Sequence, residues 1–189
     1  MGGSGDDKIV GNNARNSLKG SAGEDWLLGY AENDLLSGGS DNDRLTGSLG
    51  NDSLSGGSDN DRLYGGLDND SLSGDQGEDW LSGGKGADQF IFKRLEKTID
   101  TIANFLGSQG DQIVVSAKRF GGELKKGNLL SNQFTRGSVA VNEQTRFIYN
   151  SSSGQLFFDV DGTGEREQMP FAKLPKGASL SSSGITIVA

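Results

Sequence analysis

From Gly2 to Ile91 one large apolar residue recurs every nine positions, most with a small or polar residue on at least one side. The set is Ile9, Leu18, Leu27, Leu36, Leu45, Leu54, Leu63, Leu72, Leu81 and Phe90. A single apolar side chain between polar neighbours predicts a very short strand, with one residue facing a core and its neighbours facing out. In the same register the first position is always Gly, and the sixth is Asp except at Asn16. A period held over ten repeats organises the fold before any other feature does.

Positions one to six, rich in Gly, Asn and Asp, read as a turn that visits positive φ, which Gly adopts freely and Asn and Asp tolerate. The fourth position is Gly or Asp in eight repeats; Ala14 and Glu32 break that rule, so the turns of repeats two and four are expected to be weak. One strand and one turn make half a coil. Two repeats therefore make an 18-residue coil, with repeat i stacked on repeat i+2. One edge carries Asp7, Asp25, Asp43, Asp61 and Asp79; the other carries Asn16, Asp34, Asp52, Asp70 and Asp88. At a strand spacing of about 4.8 Å these become two ladders of negative charge.

Such ladders drive the coils apart unless cations sit between the rungs. The donors on offer are carboxylates and turn carbonyls, all hard oxygen. Calcium accepts six to eight such oxygens in flexible geometry, whereas magnesium gives up its water reluctantly. Calcium is the expected ion, with at most eight sites in the gaps between rungs. The gap from Asn16 to Asp34 is the weakest, having one carboxylate. Ten short apolar side chains cannot by themselves offset the ordering of the block, so it is expected to be disordered without calcium and to fold on binding.

These repeats resemble the GGxGxDxUx nonapeptides of the RTX (repeats-in-toxin, haemolysin-type) calcium-binding family, a pattern on which the nonapeptide reading itself rests. The resemblance implies an all-β chain: a right-handed parallel β-roll of stacked 18-residue coils with calcium between the turns. It implies that backbone carbonyls join the sixth-position carboxylates. The candidates are Gly38, Ser40, Asn42, Gly47, Leu49, Asn51, Gly56, Gly57, Ser58, Asp59, Asn60, Gly65, Gly66, Asp68, Gly74, Gly77, Gly83, Gly84 and Gly86. The chain departs from the pattern at Asn16, Ala14 and Glu32, and at the second-position residues Asn12, Ser21, Tyr30, Ser48 and Asp75.

Charge follows the same division. Residues 1–92 hold 17 Asp/Glu against 6 Lys/Arg, a net −11, and residues 93–189 hold 9 against 12, a net +3. An acidic array repels nucleic acid and anionic membranes. With no His and no Cys, HExxH zinc sites, Cys nucleophiles and Ser-His-Asp triads are excluded within the chain. No apolar run reaches membrane-spanning length, and the in-register repeat begins directly after Met1 with no signal-peptide pattern. That start suggests either an excised fragment or export by another route.

The seventh positions form two outward faces. One shows Lys8, Trp26, Arg44, Arg62 and Trp80; the other is mainly Ser, including Ser17, Ser53 and Ser71. The Trp–Arg strip is expected to stiffen the sheet or to lie under the C-terminal segment; the sharper reading is a face for sugars or a partner.

From Phe92 the period stops, which divides the chain into a 2–92 roll and a 93–189 β-rich cap. Ile99–Leu106 reads either as a continuation of the roll or as a short helix, and residues 111–115 read as a strand. Residues 120–130 read as loop with a short helix. Further strands are expected at 138–141, 146–149, 155–159 and 185–188, with a hairpin turn at Asn150–Gly154. Asp159-Val-Asp161-Gly-Thr-Gly164 is read as a plain hairpin: an EF-hand loop needs a bidentate Glu at its twelfth position, where Pro170 stands. The pieces GADQFIF, DTIANF, GDQIVV, FIYNSSSGQLFFDVDGTG and ITIVA resemble the region that follows the repeats in secreted bacterial RTX proteins. There it caps the roll and carries an uncleaved signal for one-step (type I) secretion.

The expected function is therefore an extracellular, non-catalytic calcium-binding protein that folds outside the cell, in adhesion, matrix or cell-surface roles. Its expected partners are calcium, the type I secretion machinery and a glycan or cell-surface component. The alternatives are the export-and-folding module of a larger secreted enzyme and a carbohydrate-binding module using Trp26, Arg44, Arg62 and Trp80.

Overall fold

The computed structural model describes residues 1–189. Ten strands arise from the repeats. They are β1 (Lys8–Val10), β2 (Ser17–Ala22), β3 (Trp26–Tyr30), β4 (Leu35–Ser40), β5 (Arg44–Leu49), β6 (Ser53–Ser58), β7 (Arg62–Leu67), β8 (Ser71–Gln76), β9 (Trp80–Lys85) and β10 (Gln89–Phe92). Odd strands pair only with odd and even with even, always in parallel, and partners are 18 residues apart: Leu45 faces Leu63 and Leu54 faces Leu72. This is the stacking that a nine-residue half-coil requires. The fold is an all-β solenoid of about five stacked coils.

The strands are longer than the three residues expected. Most run from the seventh position through the third position of the next repeat. Burial alternates along them: the sixth, eighth and next first positions face in, the seventh and third face out. Leu27, Leu36, Leu45, Leu54, Leu63, Leu72, Leu81 and Phe90 are all at most 1% exposed. Burying each contributes about 1.5–3 kcal/mol. Ile9 and Leu18 are only half-buried.

Both sheets run on into the second half. It comprises β11 (Asp100–Asn104), β12 (Gln112–Ser116), the short helix α1 (Ala117–Phe120), β13 (Gly127–Asn128), β14 (Phe134–Arg136), β15 (Phe147–Asn150), β16 (Gln155–Phe158), β17 (Met169–Lys173) and β18 (Ile185–Val188). β11 lies parallel to β9, so residues 100–104 continue the roll as a strand, and β12 lies parallel to β10. The antiparallel strands β15, β16 and β17 then extend the odd sheet, and β18 extends the even one. Phe120, Phe147, Phe158 and Phe171 pack ring on ring between them, with centroids 5.2–6.4 Å apart.

The short helix expected within residues 120–130 lies earlier, at Ala117–Phe120, and a second expectation in this half also fails. Residues 138–141 form no strand; Val139 and Val141 are 63% and 65% exposed, with no partner to bury them. The strand lies just before, at Phe134–Arg136, where Phe134 pairs with Phe147. β17 is a further strand and contains Pro170, which has no amide to donate to a ladder. The register shift between Leu156 and Phe157 falls where Pro170 meets Phe157. The Asn150–Gly154 turn forms as expected, with Asn150 O accepting the Gly154 amide at 2.8 Å, and the Asp159 loop joins antiparallel β16 and β17 as a hairpin.

The Trp–Arg strip is in register: Trp26, Arg44, Arg62 and Trp80 are successive cross-strand partners. It is not covered by the C-terminal segment, as Trp26 is 40% exposed. Lys8 Nζ sits 4.0 Å over the Trp26 ring, Arg44 stands 4.6 Å from the Tyr64 ring, and Tyr64 packs on Trp80 at 4.9 Å. These contacts bind strand to strand along the stack, each contributing about 0.5–1 kcal/mol.

Candidate metal centre: two carboxylate ladders

The chain turns inward at the sixth position of each repeat, and the two expected ladders form there. Asp25, Asp34, Asp43, Asp52, Asp61, Asp70, Asp79 and Asp88 are all at most 3% exposed. Each Oδ1 accepts the amide hydrogen of the rung before it. Asp25 donates to Asp43, Asp43 to Asp61 and Asp61 to Asp79 on one edge, each at 2.8 Å. On the other, Asp34 donates to Asp52 and Asp52 to Asp70 at 2.8 Å, and Asp70 to Asp88 at 3.0 Å. Asp7 and Asn16 open the two ladders, donating to Asp25 and Asp34 at 2.8 and 2.7 Å.

The second oxygen is the informative one. Oδ2 of all eight buried Asp residues has no hydrogen-bond partner. An unpaired buried carboxylate oxygen is costly, and natural structures pair such groups or place them on a metal. Each Oδ2 lies over the first-position Gly of its own repeat: a methyl on Gly38, Gly47, Gly56, Gly65, Gly74 or Gly83 would overlap the Oδ2 of Asp43, Asp52, Asp61, Asp70, Asp79 or Asp88. Those Gly residues do not have positive φ. The constant first Gly therefore serves close approach by the carboxylate, which corrects its expected role as a turn former.

Positive φ falls instead at the second and fourth positions of repeats three to ten. Ser21, Tyr30, Ser48 and Asp75 have φ of 111°, 90°, 96° and 74° beside Gly39, Gly57, Gly66 and Gly84. At the fourth position Glu32 adopts φ 67°, matching Asp41, Asp59 and Asp68, so the turn of repeat four keeps the common form. Repeat two does not: neither Asn12 nor Ala14 has positive φ.

Among the candidate carbonyl donors, a methyl on Gly57, Gly66 or Gly84 would overlap Gly39 O, Ser48 O or Gly66 O of the coil before, and one on Gly77 or Gly86 would overlap Asp59 O or Asp68 O. These carbonyls thus line the stacked turns. The side chains of Asn42, Asn51 and Asn60 are engaged outside, accepting amide hydrogens from Asn60, Asn69 and Glu78 at 2.7–3.0 Å. Asp59 and Asp68 likewise accept from Asp41 and Gly50. Only the backbone of these five is free to face the ladders. Ser40, Leu49 and Ser58 end strands β4, β5 and β6.

The ladders do not stop with the repeats. Asp79 donates its amide to Asp100 Oδ1 and Asp88 to Asp111 Oδ1, each at 3.1 Å. Asp100 and Asp111 are 8% and 3% exposed. The nine-residue period missed both rungs because they follow at spacings of 21 and 23 residues. The signal available was local: each stands two residues before a core residue, Ile102 or Ile113, as Asp43 stands before Leu45.

Burial dominates the electrostatics. It pushes the carboxyls of Asp61, Asp70 and Asp100 up to about 8 and those of Asp43, Asp52, Asp79 and Asp88 to about 6. Amide hydrogen bonds pull the other way, and neighbouring carboxylates add to the rise. No three acidic side chains meet at one point; the donors are paired coil by coil, with carbonyls between. Buried carboxylate and carbonyl oxygens in forward-facing pairs, with no nitrogen or sulfur among them, fit calcium.

Fold and site together define a parallel β-roll that binds metal along its turns. A model of the RTX calcium-binding nonapeptide repeat, in four copies, matches residues 1–36, 37–72 and 55–90. Residues 1–90 belong to that family, and the ion its repeats bind is calcium. A comparison with curated protein sequences gives no match. Among solved structures the chain is similar to the solution structure of the AlgE6R3 subunit of the Azotobacter vinelandii mannuronan C5-epimerase. The identity is 25%, over 98% of this chain and 80% of that one, and the TM-score is 0.38. So loose a likeness carries no argument. No helix is long and apolar enough to cross a membrane.

Proposed function

We propose that the chain is an extracellular, non-catalytic calcium-binding scaffold whose folding is switched on by calcium after export. The observation that supports this is the set of eight buried carboxylate oxygens without partners. Calcium supplies the positive charge and coordination positions that such oxygens fill. The ligands assigned to it are Asp7, Asp25, Asp34, Asp43, Asp52, Asp61, Asp70, Asp79 and Asp88, with carbonyls of the first to fifth turn positions between Gly38 and Gly86. The gap from Asn16 to Asp34 is the weakest.

In calcium-poor cytosol the ladders repel and the chain stays unfolded, fit to be passed directly outside by a one-step (type I) route. At extracellular calcium, near the 10⁻⁴–10⁻³ M range of extracellular calcium modules, the coils close cooperatively. Residues 2–92 act as the repeat roll, and residues 93–189, whose strands β11 and β12 add its last coil, as the capping and secretion region. The folded protein then serves in adhesion, matrix or the cell surface. The strip's two rings are already engaged, Trp26 by Lys8 and Trp80 by Tyr64, so a glycan is assigned to that face only if Trp26→Ala and Trp80→Ala abolish binding on a glycan array in calcium.

The test of the main reading is a calcium titration followed by circular dichroism and calorimetry. A cooperative rise of β signal with ion uptake is expected, and a folded spectrum in excess chelator at neutral pH rejects it.

A further inference from the structure

We propose that Asp100 and Asp111, outside the nonapeptide repeats, are calcium ligands that close one last site on each edge with Asp79 and Asp88. This rests on the repeat array binding calcium and extends it to the junction with the second half. The backbone step is the one used inside the array. Thr101 donates to Asp79 O at 2.7 Å and Gln112 to Asp88 O at 2.8 Å, as Arg62 donates to Asp43 O at 2.8 Å. Ile102 and Ile113, 1% and 0% exposed, take the core place of the repeat leucines.

The unpartnered oxygens point the same way. At Gly20, Gly29 and Gly65 the place a Cβ would take lies against the free oxygen of Asp25, Asp34 or Asp70 and, at 2.6–2.9 Å, the carbonyl of Gly38, Gly47 or Gly83 on the next coil. The free oxygens therefore face forward along the stack. Asp79 and Asp88, 2% and 0% exposed, keep such an oxygen buried and unpartnered, and forward of them stand Asp100 and Asp111.

No protein cation answers these charges. The two ion pairs of the chain join Lys93 to Asp75 at 2.8 Å and Arg94 to Glu96 at 3.2 Å. Both lie on the rim of a cavity of about 20 Å³ beside Asp100, room for about one water. The two edges end differently. Asp111 Oδ2 accepts the Leu106 amide at 2.7 Å and so closes its ladder, whereas Asp100 opens on the cavity. Because β11 and β12 carry these rungs and lead into the second half, ions here tie that half to the roll.

Native mass spectrometry of the full chain in calcium counts the ions. Asp100→Asn and Asp111→Asn are each expected to bind one ion fewer than wild type, the double variant two fewer, and Glu165→Gln, exposed on a loop of the second half, the same number. Asn is tolerated as a rung: Asn16 holds that place, donating to Asp34 Oδ1 and accepting the Asn12 amide at 2.8 Å. Folding is checked by circular dichroism, and the variants sit on opposite edges, so either alone remains a test. A wild-type ion count in a folded variant overturns the assignment of that rung. A wild-type chain that takes up no calcium instead overturns the reading of the repeat array itself.

Discussion

The amide of Asp43 donates to Oδ1 of Asp61 across one 18-residue coil at 2.8 Å, and Oδ2 of Asp61 is left buried with no partner. One oxygen thus holds the stack together and the other waits for a cation. The two functions can be separated by substitution. Asp61→Asn keeps an acceptor for the Asp43 amide and removes the charge. Its calcium midpoint for folding is expected to rise several-fold, since each site at tenfold its dissociation constant contributes about 1.4 kcal/mol. Asp61→Ala also strands the Asp43 amide, a further loss of about 1–3 kcal/mol. Calcium titrations of both variants by circular dichroism check the order wild type, Asn, Ala.

Protons compete with calcium for the same oxygens. In the metal-free roll Asp61 and Asp70 are raised to about 8, and Asp43, Asp52, Asp79 and Asp88 to about 6, so the folded state binds more protons than the unfolded chain. Raised carboxyl values contribute stability that is fully present below the ordinary Asp value near 4 and is lost as pH rises through 6 to 8. The calcium-free protein is therefore expected to gain β structure on acidification from pH 8 to 4, while its calcium affinity falls over the same window. Circular dichroism of resin-stripped protein across that range checks it; unchanged disorder at pH 4 counts against the buried ladders.

The first-position glycines make a separate test. Gly56→Ala places a methyl on the Asp61 carboxylate. It is expected to cost about 1–3 kcal/mol by overpacking and to weaken calcium binding as Oδ2 is displaced. Gly5→Ala meets nothing within 4 Å and is expected to be silent. Thermal melts in saturating calcium compare the two.

Strain at the second position offers a gain. Ser48 holds φ 96° and Tyr30 φ 90°, a region where a non-Gly residue costs about 1–3 kcal/mol. Ser48→Gly is expected to raise the melting temperature in calcium, unlike most glycine substitutions in strands. A drop in melting temperature counts against the turn geometry described.

The sequence by itself determined whatever repeats locally. One apolar residue in nine placed Leu27 to Phe90 in the core, and the half-coil arithmetic put Asp25 over Asp43 and Asp34 over Asp52. These follow from the period alone, because every coil sees the same neighbours above and below. Tertiary structure decided what depends on the meeting of distant backbone. The first-position Gly is needed because the Asp43 or Asp61 carboxylate folds back over it, a contact invisible in a consensus. The strain at Tyr30 and Ser48 is imposed by the register of the stack, in which Tyr30 pairs with Ser48 and Ser48 in turn with Gly66. Asp100 and Asp111 join the ladders only because the intervening loops, of unequal length, return the chain to register. β17 forms around Pro170 because β11 and β16 are there to receive it. A period can be read from a sequence when each unit's surroundings repeat; where the surroundings change, at the last rung of each ladder, only the packed chain shows which carboxylate comes next.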